Sequence, residues 1–180
     1  MAHTLNGLEY GGIAEGRVGA IAKPLRLGIH EIGVTELVGI NEEVNTNDYG
    51  ASVEVALGST MSGELLSFMF IASETGGGGV QDSAGKLLIF DADPAISAGD
   101  TALAAAGAEH QTLIGVVSVA ASDWVTDAAG GAAYIYNQPV PFHEVSTVYL
   151  AWLHTDATDL NDGAGDDEIL EVNAWYRRDS

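Results

Sequence analysis

From Ile29 onward the chain breaks into short β-textured runs separated by turn residues, with no helical period long enough to alternate with them. The runs are IHEIGVTELVGI, SVEVALGS, GELLSFMFIAS, KLLIFDAD, TLIGVVSVA, AAYIYN, VSTVYLAWLH and EILEVNAWYRR. They carry β-branched and aromatic residues with partial alternation, and Gly, Asp and Asn cluster between them. About eight short strands without βαβ alternation predict two packed antiparallel sheets. The expected fold is all-β, a jelly-roll-like antiparallel β-sandwich with at most one short helix. No internal repeat and no second linker divides the chain.

Residues 1–28 differ in texture. GGIAEGRVGAIAKPLRLG holds neither period, and its glycines and proline weaken any regular element. This stretch is expected to be an extended N-terminal arm, with residues 29–180 forming the sandwich. Charge divides at the same boundary. The arm holds Arg17, Lys23 and Arg26 against Glu9 and Glu15, a net of +1. The body holds three basic residues against 24 carboxylates, a net of −21. An acidic body stays soluble by self-repulsion when crowded, and a high-salt habitat would also select for it. Free nucleic acid is an unsuitable partner, since phosphate recognition requires a basic surface. The N-terminus lacks the basic-then-apolar layout of a secretory signal, and no apolar run reaches the length of a membrane helix; no membrane partner is expected. Without cysteine, stability must come from packing or assembly.

Local signals refine the expectation. GELLSFMFIAS reads as buried on both faces. It is expected to pair with KLLIFDAD across the TGGGGVQDSAG linker, and VSTVYLAWLH with EILEVNAWYRR across a long acidic loop. Pro94 to His110 is the only helical candidate, with Asp100 as cap, a short helix through Ala106 and Gly107 as its stop. SDWVTDAAGG reads as a turn region tucking Trp124 against the body. QPVPFHEV reads as a connection, because proline cannot donate to a central ladder.

Motifs for chemistry fail on spacing. Gly85-Lys86 suggests a phosphate loop, but Val80 and Leu87 stand where that motif needs Gly and Ser or Thr. His30-Glu31 and His143-Glu144 begin like zinc-protease helices, but Val34 and Thr147 replace the second histidine. No G-x-S-x-G elbow surrounds Ser59 or Ser62. Asp91 and Asp93 would share a strand face, but Pro94 makes them turn-forming residues. No nucleophile–base set is recognisable, and an enzyme is not expected. The acidic loop is the remaining candidate: Asp156, Asp159, Asp162, Asp166 and Asp167 supply enough oxygens for calcium, against the alternative of a solvated loop. The EF-hand order fails at Ala164, and the nonapeptide-like Asp162–Ile169 occurs in a single copy.

Four stretches, SGELLSFMFIAS, GGGGVQDSAGKLLIFDADP, SDWVTDAAGGAAYIYNQPVPFH and DDEILEVNAWYRRDS, resemble small structural proteins of tailed bacteriophages. The similarity lies in overall texture over roughly residues 60–180 and is to capsid decoration or cement proteins. It implies a β-rich body, a trimeric or other symmetric assembly with itself, attachment to the major capsid protein on the outer surface of the virion, and no enzymatic activity. Arg17, Lys23 and Arg26 are then the residues through which the arm grips the capsid or a neighbour. The competing reading is a jelly-roll module that binds carbohydrate or a receptor through Trp124, Tyr134, Tyr136 and the acidic loop.

Overall fold

The computed structural model describes residues 28–39, 42–74, 84–103, 108–126, 130–156 and 168–179, together with two short strands, β1 (Thr4–Leu5) and β2 (Leu8–Glu9). The strands of the body are β3 (Ile29–Val38), β4 (Val53–Glu74), β5 (Gly85–Phe90), β6 (Leu113–Val119), β7 (Trp124–Thr126), β8 (Gly130–His154) and β9 (Glu168–Arg178). One helical turn, α1 (Ala108–Thr112), precedes β6, and a 3-10 turn, Ala121–Asp123, precedes β7.

Two strands, β4 with 22 residues and β8 with 25, are far longer than the common strand. Each turns a corner. In β4 the pairing with β8 breaks between Ala56 and Met61, around Gly58 at φ +85°. In β8 the corner holds Glu144 at φ +50°. Each strand therefore contributes one segment to each of two sheets. The first sheet runs β3, β9, residues 61–74 of β4 and residues 130–142 of β8, with β7 added along 131–133. The second runs residues 53–57 of β4, residues 145–154 of β8, β5 and β6.

Counted along the chain, 29–38 pairs with 168–178, 53–57 with 145–154, 61–74 with 130–142, and 85–90 with 113–119. This nesting is one long antiparallel ribbon. Rolled up, it is closed by β9 against β4 and by β5 against β8. That connectivity is a jelly roll, as expected.

The nesting overturns both strand pairs read from sequence proximity. Residues 61–74 do not pair with 85–90, nor 145–154 with 168–178. Each connection carries the chain from one sheet to the other, and a long linker permits that crossing as readily as a hairpin. The proline stretch is also corrected: Pro139 and Pro141 lie within β8. Among the described strands, β7 flanks residues 131–133 of β8 and none flanks the prolines, which therefore occupy a sheet edge. A register shift places residues 137–139 opposite Leu66 alone. Trp124 begins a strand and not a turn. Asp100 caps no helix: its carboxylate accepts from Ser97 N at 2.8 Å and its carbonyl from Tyr49 N at 2.9 Å, so the only described helical turn comes later. Residues 104–107 of the expected helix lie outside the described residues.

The main core fills the space between the sheets. Phe68 and Phe70 descend from the first sheet onto Trp152, Leu150, Leu87 and Ile89 of the second, all at most 1% exposed. Phe70 and Trp152 meet at 5.6 Å between ring centroids. A smaller cluster, Tyr49, Leu88, Phe90, Ile96 and Ala151, covers the outer face of the second sheet. β5 is thus buried on both faces. Among the described residues, none closes the outer face of the first sheet in this way.

Candidate functional site

Alternation along three adjacent strands builds the open face. Phe68, Phe70, Val172, Ala174, Ala133 and Ile135 point into the core. Their alternates, Met69, Asn173, Trp175, Tyr134 and Tyr136, point outward. Strand register arranges them in two rows. Val34, Asn173, Met69 and Tyr134 are successive cross-strand neighbours, and so are Glu31, Trp175, Ser67 and Tyr136. Between Leu65 and Ser67 the register of β4 against β9 slips, and Leu66 is the extra residue. Its side chain joins the outward group, which corrects the reading of GELLSFMFIAS. One face of that run is core, and the other lines a cleft.

The cleft has a volume of about 510 Å³ and is lined by Ile29, Glu31, Leu66, Ser67, Met69, Tyr134, Tyr136, Asn173 and Trp175. Tyr134 and Tyr136 form one wall. Their rings are stacked, with centroids 6.0 Å apart and planes within 8°, and they are 50% and 62% exposed. Asn173 forms the floor at 4% exposure. Its Nδ2 donates to Glu31 Oε1 at 2.7 Å. A carboxylate only accepts, so this bond fixes the orientation of the amide. Asn173 Oδ1 is buried and has no hydrogen-bond partner. Buried carbonyl oxygens without a donor are uncommon and costly, and Asn173 is among the residues that line the cleft.

The fold separates the residues singled out in the sequence. Tyr134 and Tyr136 lie in the cleft, whereas Trp124 is 8% exposed and belongs to the core. Arg17, Lys23, Arg26, Asp159, Asp162, Asp166 and Asp167 lie outside the described residues, as does the tetraglycine stretch. Asp156 is described, and its carboxylate accepts from Ala84 N at 3.3 Å while its carbonyl accepts from Thr46 Oγ1 at 2.6 Å. Among the described residues no three His, Asp or Glu side chains cluster as a metal-binding group. Asp93 shapes a turn, accepting from Ala95 N at 2.8 Å.

Sequence reasoning missed Asn173, Glu31, Met69 and Trp175. The available signal was the outward pair Asn173 and Trp175, two apart on one strand. It also missed one contact at the corners, where Ser62 Oγ lies 2.9 Å from His143 Nδ1 and accepts from Glu144 N at 3.0 Å. These bonds tie the corner of β4 to the corner of β8. Lys86 enters β5 exposed, and no helix N-terminus adjoins it among the described residues.

No protein-family model matches the chain, and no curated protein does. Solved structures give faint likenesses. Dimeric latent PorU from Porphyromonas gingivalis aligns at 13% identity and TM-score 0.37, over 84% of this chain and 13% of that one. A structure of deformed wing virus carrying the GFP gene aligns at 8% and 0.29, over 84% and 44%. A structure of black queen cell virus aligns at 10% and 0.29, over 100% and 85%. The chain thus spans well under two thirds of the first two. At such identities and TM-scores nothing about function is drawn from these likenesses.

Proposed function

We propose that this chain is a structural protein of a virus particle, bound to the outer surface of the capsid as a decoration or cement protein that holds neighbouring capsomers together. Its partners are the major capsid protein and further copies of itself in a symmetric assembly. It works by holding on and not by catalysis.

The observation that carries this reading is where the arm joins the body. Residues 1–28 lead through Gly28, at φ +82°, directly into β3, and β3 is the edge of the first sheet, pairing with β9 alone among the described strands. The sequence preceding that edge is near-neutral and holds Arg17, Lys23 and Arg26, whereas the body that follows is acidic. In this reading the segment before β3 reaches a neighbouring subunit. Within this segment, β1 pairs with β2 alone among the described strands, Thr4 opposite Glu9 and Leu5 opposite Leu8. The jelly roll is also an architecture that viral capsids use repeatedly, and the phage-like stretches of the sequence point the same way.

The test is reconstitution. Purified protein added to undecorated capsids should produce ordered surface density, and protein lacking residues 1–28 should remain folded but fail to attach. Normal attachment by the truncated protein would remove the role given to the arm; failure of the full chain to attach to any capsid would remove the reading.

A further inference from the structure

We propose that the cleft on the outer face of the first sheet binds a neutral carbohydrate. The inference stands on the cleft alone and does not depend on attachment to a capsid.

Three features specify the ligand. Tyr134 and Tyr136 offer two nearly parallel rings, 8° apart in plane and at least half exposed, with Trp175 across Ser67 in the same row. Such a surface suits a ligand with flat apolar C–H faces, and cofactor-sized sites combine apolar and aromatic walls with a few placed polar groups. The floor supplies those groups. Asn173 Oδ1, buried and unpartnered, needs a donor. Its amide cannot flip to offer Nδ2 instead without losing the bond to Glu31. Ser67 and the second carboxylate oxygen of Glu31 can accept further donors along the same wall. A sugar presents several hydroxyl donors beside apolar ring faces, which matches this combination.

Charge narrows the class. Glu31 lies in the cleft, and the body carries a net −21. Sialylated, sulfated or uronic-acid glycans are repelled, and the ligand is a chain of neutral hexoses or N-acetylhexosamines. A cleft of about 510 Å³ accommodates roughly two such units.

The experiment uses the full chain. A panel of neutral oligosaccharides, including glucose-, galactose-, mannose- and N-acetylglucosamine-based trimers, is titrated while tryptophan fluorescence and heat are followed, with sialylated and sulfated glycans as the charged arm. At least one neutral sugar should bind with a Kd below 1 mM on the order of ordinary single-site affinities. Tyr136→Ala and Asn173→Ala should each weaken that binding about tenfold or more, a loss of about 1.4 kcal/mol, with thermal melting showing that the variants fold. Because Asn173 is buried, Tyr134→Phe and Tyr136→Phe serve as controls that keep the stacking surface and should retain most of the affinity. Absence of binding across the neutral panel overturns the proposal. So does binding that survives Tyr136→Ala, or a preference for the charged glycans. If no sugar binds and Tyr136→Ala instead converts an oligomer to monomer in light scattering, the face is a protein contact and the proposal fails.

Discussion

The amide of Asn173 on β9 donates to Glu31 Oε1 on β3 at 2.7 Å, linking residues 142 positions apart across the sheet edge. It holds the floor of the cleft to its rim and fixes which end of the amide is left as an acceptor. Removing the acceptor strands a polar group at a residue that is 4% exposed. Glu31→Ala should destabilise the chain by about 1–3 kcal/mol, whereas Glu31→Gln, which keeps an acceptor oxygen, should lose less. Urea denaturation of the two variants checks the order. Equal losses would mean that the bond does not organise the floor.

Gly85 opens β5 directly beneath the indole of Trp152, where a Cβ would overlap the ring itself. Trp152 is fully buried. Gly85→Ala should therefore cost about 1–3 kcal/mol by overpacking, although alanine ordinarily suits a strand no worse than glycine. Thermal melting with near-ultraviolet dichroism, which reports the packing of the indole, would detect it. An unchanged melting temperature would show that Trp152 can shift.

Glu144 turns the corner of β8 at φ +50°, a left-handed conformation that L-residues adopt at a cost of roughly 1–2 kcal/mol. Its side chain is exposed, so little packing is lost by deleting it. Glu144→Gly relieves the strain but adds freedom to the unfolded chain, for a net gain of up to about 1 kcal/mol. Glu144→Val should instead destabilise. Chemical denaturation of both distinguishes strain at the corner from a role for the carboxylate.

Tyr49 is 8% exposed, and burial raises its phenol above the ordinary value of 10.0. The unfolded chain then gives up this proton at lower pH than the folded one. The stability Tyr49 contributes is present below pH 10.0 and is lost as pH rises from there through its folded value. Tyr49→Phe should flatten that part of the alkaline decline, measured as the difference between wild type and variant in denaturation above pH 10.0. Parallel curves would place the decline in other groups.

The positions of the strands were legible because alternation and β-branched composition are local. Lys86 to Phe90 and Glu168 to Arg178 announce themselves in this way. Their partners were not legible. KLLIFDAD is adjacent in sequence to GELLSFMFIAS, but its ladders are with β6 and β8, because every backbone offers the same donors and acceptors. The prolines misled for a related reason: Pro139 forbids a central ladder, and only the fold makes that part of β8 an edge.

The candidate site divides the same way. Tyr134 and Tyr136 could be named from the sequence as aromatic residues on one face, but nothing local distinguished them from Trp124, which the core absorbs. Asn173 looked like an ordinary polar residue in a strand until its burial and its bond to Glu31 were visible.

By itself the sequence determined the all-β class, the approximate strand positions and the contrast between an acidic body and a near-neutral leading segment, since these follow from period, composition and charge along the chain. Only the tertiary structure decided that β4 and β8 bend to serve two sheets, which strands pair, and that one sheet's outer face stays open as a cleft. Alternation says that a strand has two faces; what comes to cover each is settled by residues far away in the chain.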